Sequence, residues 1–169
     1  MTDFTYEEGS HTSDPADFVE RFVDFWNSPS PERIYEILHP DVVLTQPLSP
    51  PMRGIAAAQE EFQRIWRWLP DLRAQVDRWR GDSDLLFIEF RLRAHAGNEL
   101  IEWPNIDRIV LREGKAIVRT NYFDPLPLLH KVVRHPRLWW SWWRSGAARP
   151  WHTGHHIDDY TALLPRERR

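Results

Sequence analysis

The residues best suited to chemistry are a carboxylate and an arginine on two neighbouring predicted strands. Asp107 lies in the segment NIDRIV, and the predicted strand pairing places Arg119 opposite it. Burial on an apolar wall would raise the pKa of the aspartate, which suits an acid or a base near neutral pH. A guanidinium at pairing distance would instead lower that pKa. The two residues are therefore either the acid/base centre of a small-molecule site or a structural ion pair.

Amide side chains accompany this pair on the same predicted surface. Asn105 and Asn121 lie on the two strands, and Gln46 ends an earlier strand. An amide both donates and accepts hydrogen bonds, so these residues would position a carbonyl or hydroxyl group of a ligand. The alternative is that they are polar residues whose hydrogen bonds are satisfied within the fold.

The elements that position these residues follow from hydrophobic periodicity and from turn residues. Asp14 and Pro15 start a first helix as N-cap and first residue. The periodicity predicts further helices over 31–38 and 54–69 and strands over 42–46, 72–80, 85–94, 99–111 and 116–123. Segment 39–41 is predicted as a turn, and Pro50-Pro51 end the first strand. Asp124-Pro125 begin a C-terminal helix that Pro136 breaks. This order predicts an α+β fold with helices on one face of a curved antiparallel sheet.

Turn chemistry predicts which side chains lie opposite each other. Segment 112–114 is taken as a three-residue loop that pairs Leu111 with Lys115, and Gly97-Asn98 as a two-residue turn. The resulting pairs are Asp107 with Arg119, Asn105 with Asn121, Ile88 with Asp107, and Phe90 with Asn105. Residues that lie opposite each other share a face of the sheet, so all of these side chains are expected on one surface.

That surface is the predicted wall of a pocket, because it is mostly apolar with a few polar groups. Its members are Leu86, Ile88, Phe90, Leu92, Trp103, Asn105, Asp107, Ile109, Ile117, Arg119, Asn121 and Phe123. Phe22 and Trp26 of the first helix are expected to close it. Pro104 cannot donate to a strand ladder, and a bulge there would turn Trp103 away from Asp107. The opposite face pairs Arg93 with Glu102 and is expected to face solvent or a second subunit.

Composition narrows the class of protein. The 169 residues suit one domain, and a net charge of −3 does not indicate nucleic acid as a partner. With no cysteine, disulfides and thiolate metal sites are excluded, and the scattered glycines form no phosphate loop. The N-terminal stretch is acidic and has no apolar run, so it is not a secretory signal. We expect a cytoplasmic protein without metal or organic cofactor.

Several strings in the chain resemble one known family. FVERFVDFWN, LHPDVV, RGIAAAQEEF, LPDLRAQV, LREGKAIV and NYFDPLPLL are similar to the SnoaL-like, or polyketide cyclase-like, branch of the nuclear transport factor 2 superfamily. The resemblance covers residues 14–133. It implies a cone-shaped α+β fold whose strongly curved sheet and helices enclose a pocket. It also implies a homodimer formed through the convex face of the sheet.

The activities of this superfamily are only partly matched. In the steroid isomerase pattern the base position falls on Gln46, the tyrosine position on Phe22 and the acid on Asp107, so two of the three roles are lost. The epoxide hydrolase positions fall on Phe90, Ile88, Asn121, Leu44 and Gln46, which leaves no carboxylate to activate water. In the cyclase pattern the acid/base aspartate falls on Asp124, which is alternatively the N-cap of the C-terminal helix.

The C-terminal part has a character of its own. Residues 125–157 contain five basic residues and no acid, and Trp139, Trp140, Trp142 and Trp143 cluster within them. These tryptophans either pack on the fold or contact an anionic membrane surface. The tail HTGHHIDD at 152–159 has a metal-like composition, but we expect only adventitious metal affinity there. The chain thus divides into a lead (1–13), a SnoaL-like domain (14–135) and a Trp-rich basic extension with a polar tail (136–169).

The sequence therefore predicts a protein with a hydrophobic pocket for an apolar, cyclic small molecule. Acid/base chemistry of isomerase, cyclase or dehydratase type would be carried by Asp107 or Asp124. The alternative is a protein that binds such a molecule without catalysis. The expected binding residues are Phe22, Trp26, Gln46, Ile88, Phe90, Trp103, Asn105, Arg119, Asn121 and Phe123.

Overall fold

The computed structural model describes residues 14–96, 98–134 and 136–147. Its elements, in chain order, are α1 (Pro15–Asn27), a 3₁₀ helix (Pro31–Glu36), β1 (Leu38–Gln46), β2 (Ser49–Arg53), α2 (Ile55–Trp68), β3 (Arg73–Gly81), β4 (Leu85–Ala96), β5 (Glu99–Arg112), β6 (Lys115–Tyr122), α3 (Leu126–Arg134) and α4 (Pro136–Ser145). The predicted lead at 1–13 and the polar tail from 148 onward lie outside the described residues.

The six strands form one open sheet in the order β2-β1-β6-β5-β4-β3. The described pairs are antiparallel except for β1 and β6, which run parallel. The prediction of an α+β fold is confirmed, while the expectation of a wholly antiparallel sheet is wrong at this one pair. A parallel neighbour needs a long crossover, and the chain between β1 and β6 supplies it.

Helices α1, α2 and α3 pack against the sheet, and α4 packs on α2 and α3. In α1 the Asp14 carboxylate accepts a hydrogen bond from the Ala16 N–H at 2.9 Å, as expected of an N-cap. The buried stripe of this helix is Phe18, Val19, Phe22, Phe25 and Trp26. The rings of Phe22 and Phe90 meet edge to face, with 5.7 Å between their centroids. The centre of the molecule is therefore filled by α1 and β4 side chains.

The region before α2 differs from the sequence prediction. Residues 39–41, predicted as a turn, belong to β1, and Pro50 and Pro51, predicted to end a strand, lie inside β2. Proline is tolerated in β2 because that strand is at the edge of the sheet and pairs only with β1. Leu48, at a φ of 67°, makes the tight connection between the two strands.

The register between β5 and β6 also differs from the prediction. The loop has two residues, Glu113 and Gly114, with φ values of 52° and 71°, so Arg112 pairs with Lys115. A bulge after Val110 shifts the register once more. The two shifts together move the pairing by two residues, and Asp107 lies opposite Asn121 rather than Arg119. From Val118 onward a shift of two keeps each side chain on its face, so the predicted surface survives there, whereas Ile117, predicted on that surface, is the unpaired residue of the bulge.

The register between β4 and β5 is confirmed. Ile88 lies opposite Asp107 and Phe90 opposite Asn105, and the pairing continues through Pro104 without a bulge. Arg93 lies opposite Glu102 as predicted, although the ion pair of Glu102 is made with Arg91, at 3.6 Å. Among the helices that the structure describes, none is long and apolar enough to cross a bilayer.

Candidate functional site

Asp107 is the centre of a sealed polar cluster on the sheet. Its side chain is completely buried, and Arg119 Nε and Nη2 each lie 2.7 Å from its Oδ2. Asn121 Nδ2 donates to the other oxygen at 2.8 Å. Arg119 reaches the carboxylate diagonally, since its directly opposite neighbour on β5 is Ile109. Both oxygens of Asp107 therefore have partners within the sheet.

Aromatic rings fix the arginine of this cluster on its other sides. The guanidinium carbon of Arg119 lies 5.6 Å from the ring centroid of Phe22, 6.0 Å from that of Trp26 and 5.8 Å from that of Phe62. A cation over an aromatic face is attracted by the ring quadrupole. Burial raises the pKa of Asp107 above its ordinary value, while the charge of Arg119 and the hydrogen bonds from Asn121 and Arg119 oppose the rise.

A cavity of about 70 Å³ lies beside this cluster, between the sheet, α2 and α3. Its wall is mainly aromatic and aliphatic. The lining residues are Trp26, Gln46, Pro47, Leu48, Ser49, Glu61, Phe62, Ile65, Trp68, Leu69, Leu72, Leu92, Trp103, Arg119, Asn121, Phe123 and Leu128. A concave apolar wall with a few polar groups is the usual form of a small-molecule site.

One part of this wall carries a chain of hydrogen bonds that ends in a carboxylate. Gln46 Nε2 donates to Ser49 Oγ at 3.3 Å, and the Ser49 hydroxyl donates to Glu61 Oε1 at 2.8 Å. The other oxygen of Glu61 accepts from Arg64 Nη1 at 3.1 Å. The Glu61 side chain is only 8% exposed, whereas that of Arg64 is 35% exposed. We call Gln46, Ser49 and Glu61 the polar strip.

The structure brings together most of the predicted binding residues. Trp26, Gln46, Trp103, Arg119, Asn121 and Phe123 line the cavity. Phe22, Ile88, Phe90 and Asn105 are buried but are not among the lining residues. They fill the interior on the α1 side, and Phe22, predicted to close the pocket, does not line this cavity. Its wall on that side is formed by Trp26, and α2 and α3 complete the enclosure.

The two predicted catalytic carboxylates occupy different places. Asp107 is on the predicted face, fully buried, and is not among the lining residues. Asp124 is exposed, and its Oδ1 accepts from the Leu126 N–H at 3.0 Å, which is the geometry of a cap at the start of α3. Among the described residues, the carboxylate that lines the cavity is that of Glu61.

Of the polar strip, the sequence pattern predicts Gln46 but not Ser49 or Glu61, and it does not predict the contribution of α2. The signal for Glu61 was present: it lies three residues after Ala58 and one before Phe62, on the buried stripe of the helix. A glutamate on the apolar face of an amphipathic helix needs a buried partner. That partner, Ser49, lies in the edge strand β2, which was not predicted, so the pair was not recognised.

Several side chains of the cavity wall carry hydrogen-bond donors without partners. The indole N–H groups of Trp26, Trp68 and Trp103 and the Nη1 group of Arg119 are buried and have no acceptor in the part of the chain that the structure describes. Trp66 also has such an indole, outside the cavity wall. A buried donor left unpaired costs about 1–3 kcal/mol. Four of the residues that line the cavity therefore carry an unpaired donor.

No group of three or more His, Cys, Asp and Glu side chains within the described residues is placed to hold a metal ion. The histidine-rich segment 152–156 lies outside those residues. His39, predicted in a loop, is in β1, where its Nδ1 accepts from the Asp41 N–H at 3.1 Å. His130 is exposed on α3.

Comparison with known families matches residues 19–119 to the SnoaL-like domain. This stretch runs from α1 to β6 and contains the sealed cluster and the polar strip. The chain belongs to the SnoaL-like domain family. No functionally curated protein matches this SnoaL-like chain.

Solved structures with the same fold include three informative neighbours. A protein assigned as a SnoaL-like polyketide cyclase, from Jannaschia sp. CCS1, is 16% identical, with a TM-score of 0.63, over 72% of this chain and 92% of that one. TerC, co-crystallized with polyporic acid, is 16% identical with a TM-score of 0.62, over 71% and 98%. IdmH from Streptomyces antibioticus, also assigned as a polyketide cyclase, is 19% identical with a TM-score of 0.61, over 70% and 98%. These likenesses establish the SnoaL-like fold.

Proposed function

We propose that this SnoaL-like protein binds an apolar, cyclic small molecule that carries oxygen atoms, in the cavity between the sheet, α2 and α3. The observation that carries the proposal is the combination of an aromatic wall with unpaired N–H donors on Trp26, Trp68, Trp103 and Arg119. Rings of the ligand would bury apolar surface against the wall. Its carbonyl or ether oxygens would accept from those donors and remove the cost of leaving them unpaired.

The wall of the cavity indicates the class of ligand. It is formed mainly by aromatic and aliphatic side chains, which favours a cyclic, apolar molecule. The neighbour TerC, which was crystallized with polyporic acid, supports a small molecule as the ligand class.

Catalysis on the bound molecule would be of the acid/base kind, as in an isomerase, cyclase or dehydratase. A protein that only holds the ligand is the second candidate, and the enclosure of Asp107 by Arg119 and Asn121 favours it when Asp107 is taken as the reacting group. The capping role of Asp124 likewise favours a protein that binds without catalysis, when Asp124 is taken as the reacting group. The proposal of binding does not depend on which of the two candidates holds.

A matched pair of ring compounds tests the binding proposal. Indanone and indane have the same two-ring skeleton, but only indanone has a carbonyl oxygen. We expect indanone to bind at least about tenfold more tightly by isothermal titration, because a hydrogen bond from a charged donor contributes about 1.5–3 kcal/mol. Trp103→Phe replaces the indole by a phenyl ring and removes one donor, so it should weaken the binding of indanone more than that of indane. Failure of both compounds to bind would overturn the proposal. Equal affinities for indanone and indane would show that the unpaired N–H donors do not bind the carbonyl oxygen.

We also propose a homodimer formed through the face of the sheet opposite the cavity. Phe87, Ile106 and Tyr122 are exposed there, beside the ion pairs Arg78–Glu89 and Arg91–Asp77. A second copy of the chain would cover these side chains and meet opposite charges. Sedimentation equilibrium should give twice 20.2 kDa, and Phe87→Glu should give the monomer. A wild-type monomer at micromolar concentration would contradict the dimer.

Binding to an anionic membrane surface is a further candidate function, and the exposed tryptophans of α4 favour it. Trp139, Trp140 and Trp143 are exposed, and residues 126–145 contain no acidic residue. The alternative of packing on the fold holds for Trp142, whose ring centroid lies 6.4 Å from that of Trp68. Co-sedimentation with anionic vesicles should be lost in Trp140→Ser and at high salt. Protein that stays in the supernatant at low salt would exclude the membrane.

A further inference from the structure

The polar strip supplies a carboxylate that the predicted chemistry did not use. Glu61 lies on the buried stripe of α2, lines the cavity and has its Oε1 atom 2.8 Å from the Ser49 hydroxyl. Its neighbour in the chain, Phe62, carries the Arg119 guanidinium over its ring at 5.8 Å. One turn of α2 therefore brings a carboxylate to the same cavity that Arg119 lines.

The partners of Glu61 can be exchanged during a reaction. The Ser49 hydroxyl is a single O–H group that can rotate its proton away from Glu61. Its oxygen can still accept the hydrogen bond from the Gln46 amide, at 3.3 Å. Arg64 is partly exposed and also pairs with Glu60, so it can release Glu61 without leaving its own charge unpaired. By contrast, the three bonds to Asp107 all come from buried residues of β6. Of the two buried carboxylates, Glu61 and Asp107, Glu61 is therefore the one that can turn towards a ligand.

We propose that Glu61 is a general base that removes a proton from a carbon next to a carbonyl group of the bound ligand. This inference rests on the proposed binding function and names the reacting group of the same cavity. The proton passes from the carbon to a carboxylate oxygen of Glu61, and the C–H electron pair moves to the carbonyl oxygen as an enolate. The unpaired N–H of Arg119 is the donor for that oxygen. Where the ligand carries a C=C bond conjugated with the enolate, return of the proton from Glu61 to the far carbon of that bond shifts the double bond and completes an isomerisation, without an oxidant or a co-reactant.

Nitrobenzisoxazole is a suitable probe, because its ring opens when a base removes one proton. The base takes the C–H proton, the C–H electron pair completes a nitrile, and the N–O bond breaks to give a coloured phenolate. The full-length protein should open the probe faster than acetate of equal concentration at the same pH.

Glu61→Gln keeps the shape of the side chain and its acceptor for Ser49 but removes the base. We expect this variant to lose at least about tenfold of the protein-dependent rate, since general-base catalysis typically contributes 10²–10⁴-fold. Glu20→Gln, the same change at an exposed site on α1, should keep the wild-type rate. A Glu61→Gln protein that keeps the wild-type rate would overturn the proposal.

Ser49→Ala provides a test that does not depend on the folding of the first variant. Loss of the hydroxyl removes a donor that stabilises the Glu61 carboxylate. The carboxylate itself stays in the cavity wall, so this variant should keep the protein-dependent rate that Glu61→Gln loses. A loss as large as that of Glu61→Gln would show that the strip acts only through its structure and contradicts the proposal.

Binding of indanone separates this proposal from the proposed function. If indanone binds but the wild-type protein opens the probe no faster than acetate, Glu61 is not a base and the binding function stands. If neither indanone nor the probe binds, the proposed function fails and the role of Glu61 fails with it.

Discussion

Two buried carboxylates in this SnoaL-like protein are held in opposite ways. Asp107 lies on the sheet with both oxygens filled by Arg119 and Asn121, and aromatic rings surround the arginine. Glu61 lies on α2 at the cavity, where a rotatable hydroxyl and a partly exposed arginine are its partners. The first arrangement is rigid and enclosed, and the second is open to exchange.

The difference shows why burial and residue type alone do not identify a reacting group. A carboxylate whose donors are all fixed by the fold stabilises its neighbours and has no capacity left for a ligand. One that has replaceable donors and a place in a cavity wall can accept a proton from a bound molecule. We infer that Asp107 holds Arg119 in position and that Glu61 is the carboxylate that reacts with the bound ligand.

The largest expected effect is the loss of stability when the sealed cluster is broken. Asp107→Ala leaves the buried Arg119 guanidinium without a counter-charge and should lower the free energy of unfolding by about 3–5 kcal/mol. Urea denaturation measures the change. Asp77→Ala removes the partner of Arg91 in an exposed ion pair and should leave the stability nearly unchanged. Equal losses of stability in the two variants would contradict the claim that the sealed cluster contributes more to stability than the exposed ion pair.

The pH dependence of stability gives a smaller effect. Burial raises the pKa of Asp107 above its ordinary value, against the opposing charge of Arg119. Such a group stabilises the fold fully below its ordinary pKa and loses that contribution as the pH rises through the folded-state value. From about pH 4 upward, the wild type should therefore lose stability relative to Asp107→Asn, by at most about 1.4 kcal/mol per pH unit.

Chemical denaturation of the two proteins at a series of pH values checks this slope. A difference that grows in favour of the wild type with rising pH would contradict it, because Arg119 would then outweigh burial.

The smallest expected effect belongs to the polar strip. Glu61→Gln should lower the free energy of unfolding by only about 1 kcal/mol, because glutamine still accepts from Ser49 and Arg64 reaches solvent. The same urea denaturation measures it beside Asp107→Ala. A loss as large as that of the aspartate variant would show that Glu61 is a structural ion rather than an exchangeable one.

Much of the fold could be predicted from the sequence, because its signals are local. The Asp14 cap, the aromatic stripe of α1 and the alternation of β4 and β5 each depend on neighbours in the chain. The register of β6 could not be predicted from the sequence, because it depends on a bulge after Val110 that the residues around it do not indicate. The face of Arg119 was nevertheless correct, because two shifts of one residue restore the alternation.

The site was harder to predict because its key contact joins distant segments. Ser49 lies in a strand that contains Pro50 and Pro51, which favour a loop when the position of the strand at the sheet edge is unknown. Glu61 was visible as a charged residue on an apolar helix face, but only the packing of α2 on that strand gives it a partner. The sequence therefore indicated Asp107 and concealed Glu61.

The most direct test of the cavity uses the indole N–H resonances in a two-dimensional nitrogen–proton NMR spectrum. Trp68 and Trp103 line the cavity with unpaired N–H groups, while Trp79 lies outside the cavity wall. Assignment by single Trp→Phe substitutions identifies each resonance. Addition of indanone should shift the Trp68 or Trp103 N–H signal downfield, as a new hydrogen bond does, and indane should not. The Trp79 signal should stay in place with both compounds; shifts confined to Trp79, or none at saturating indanone, would contradict the account.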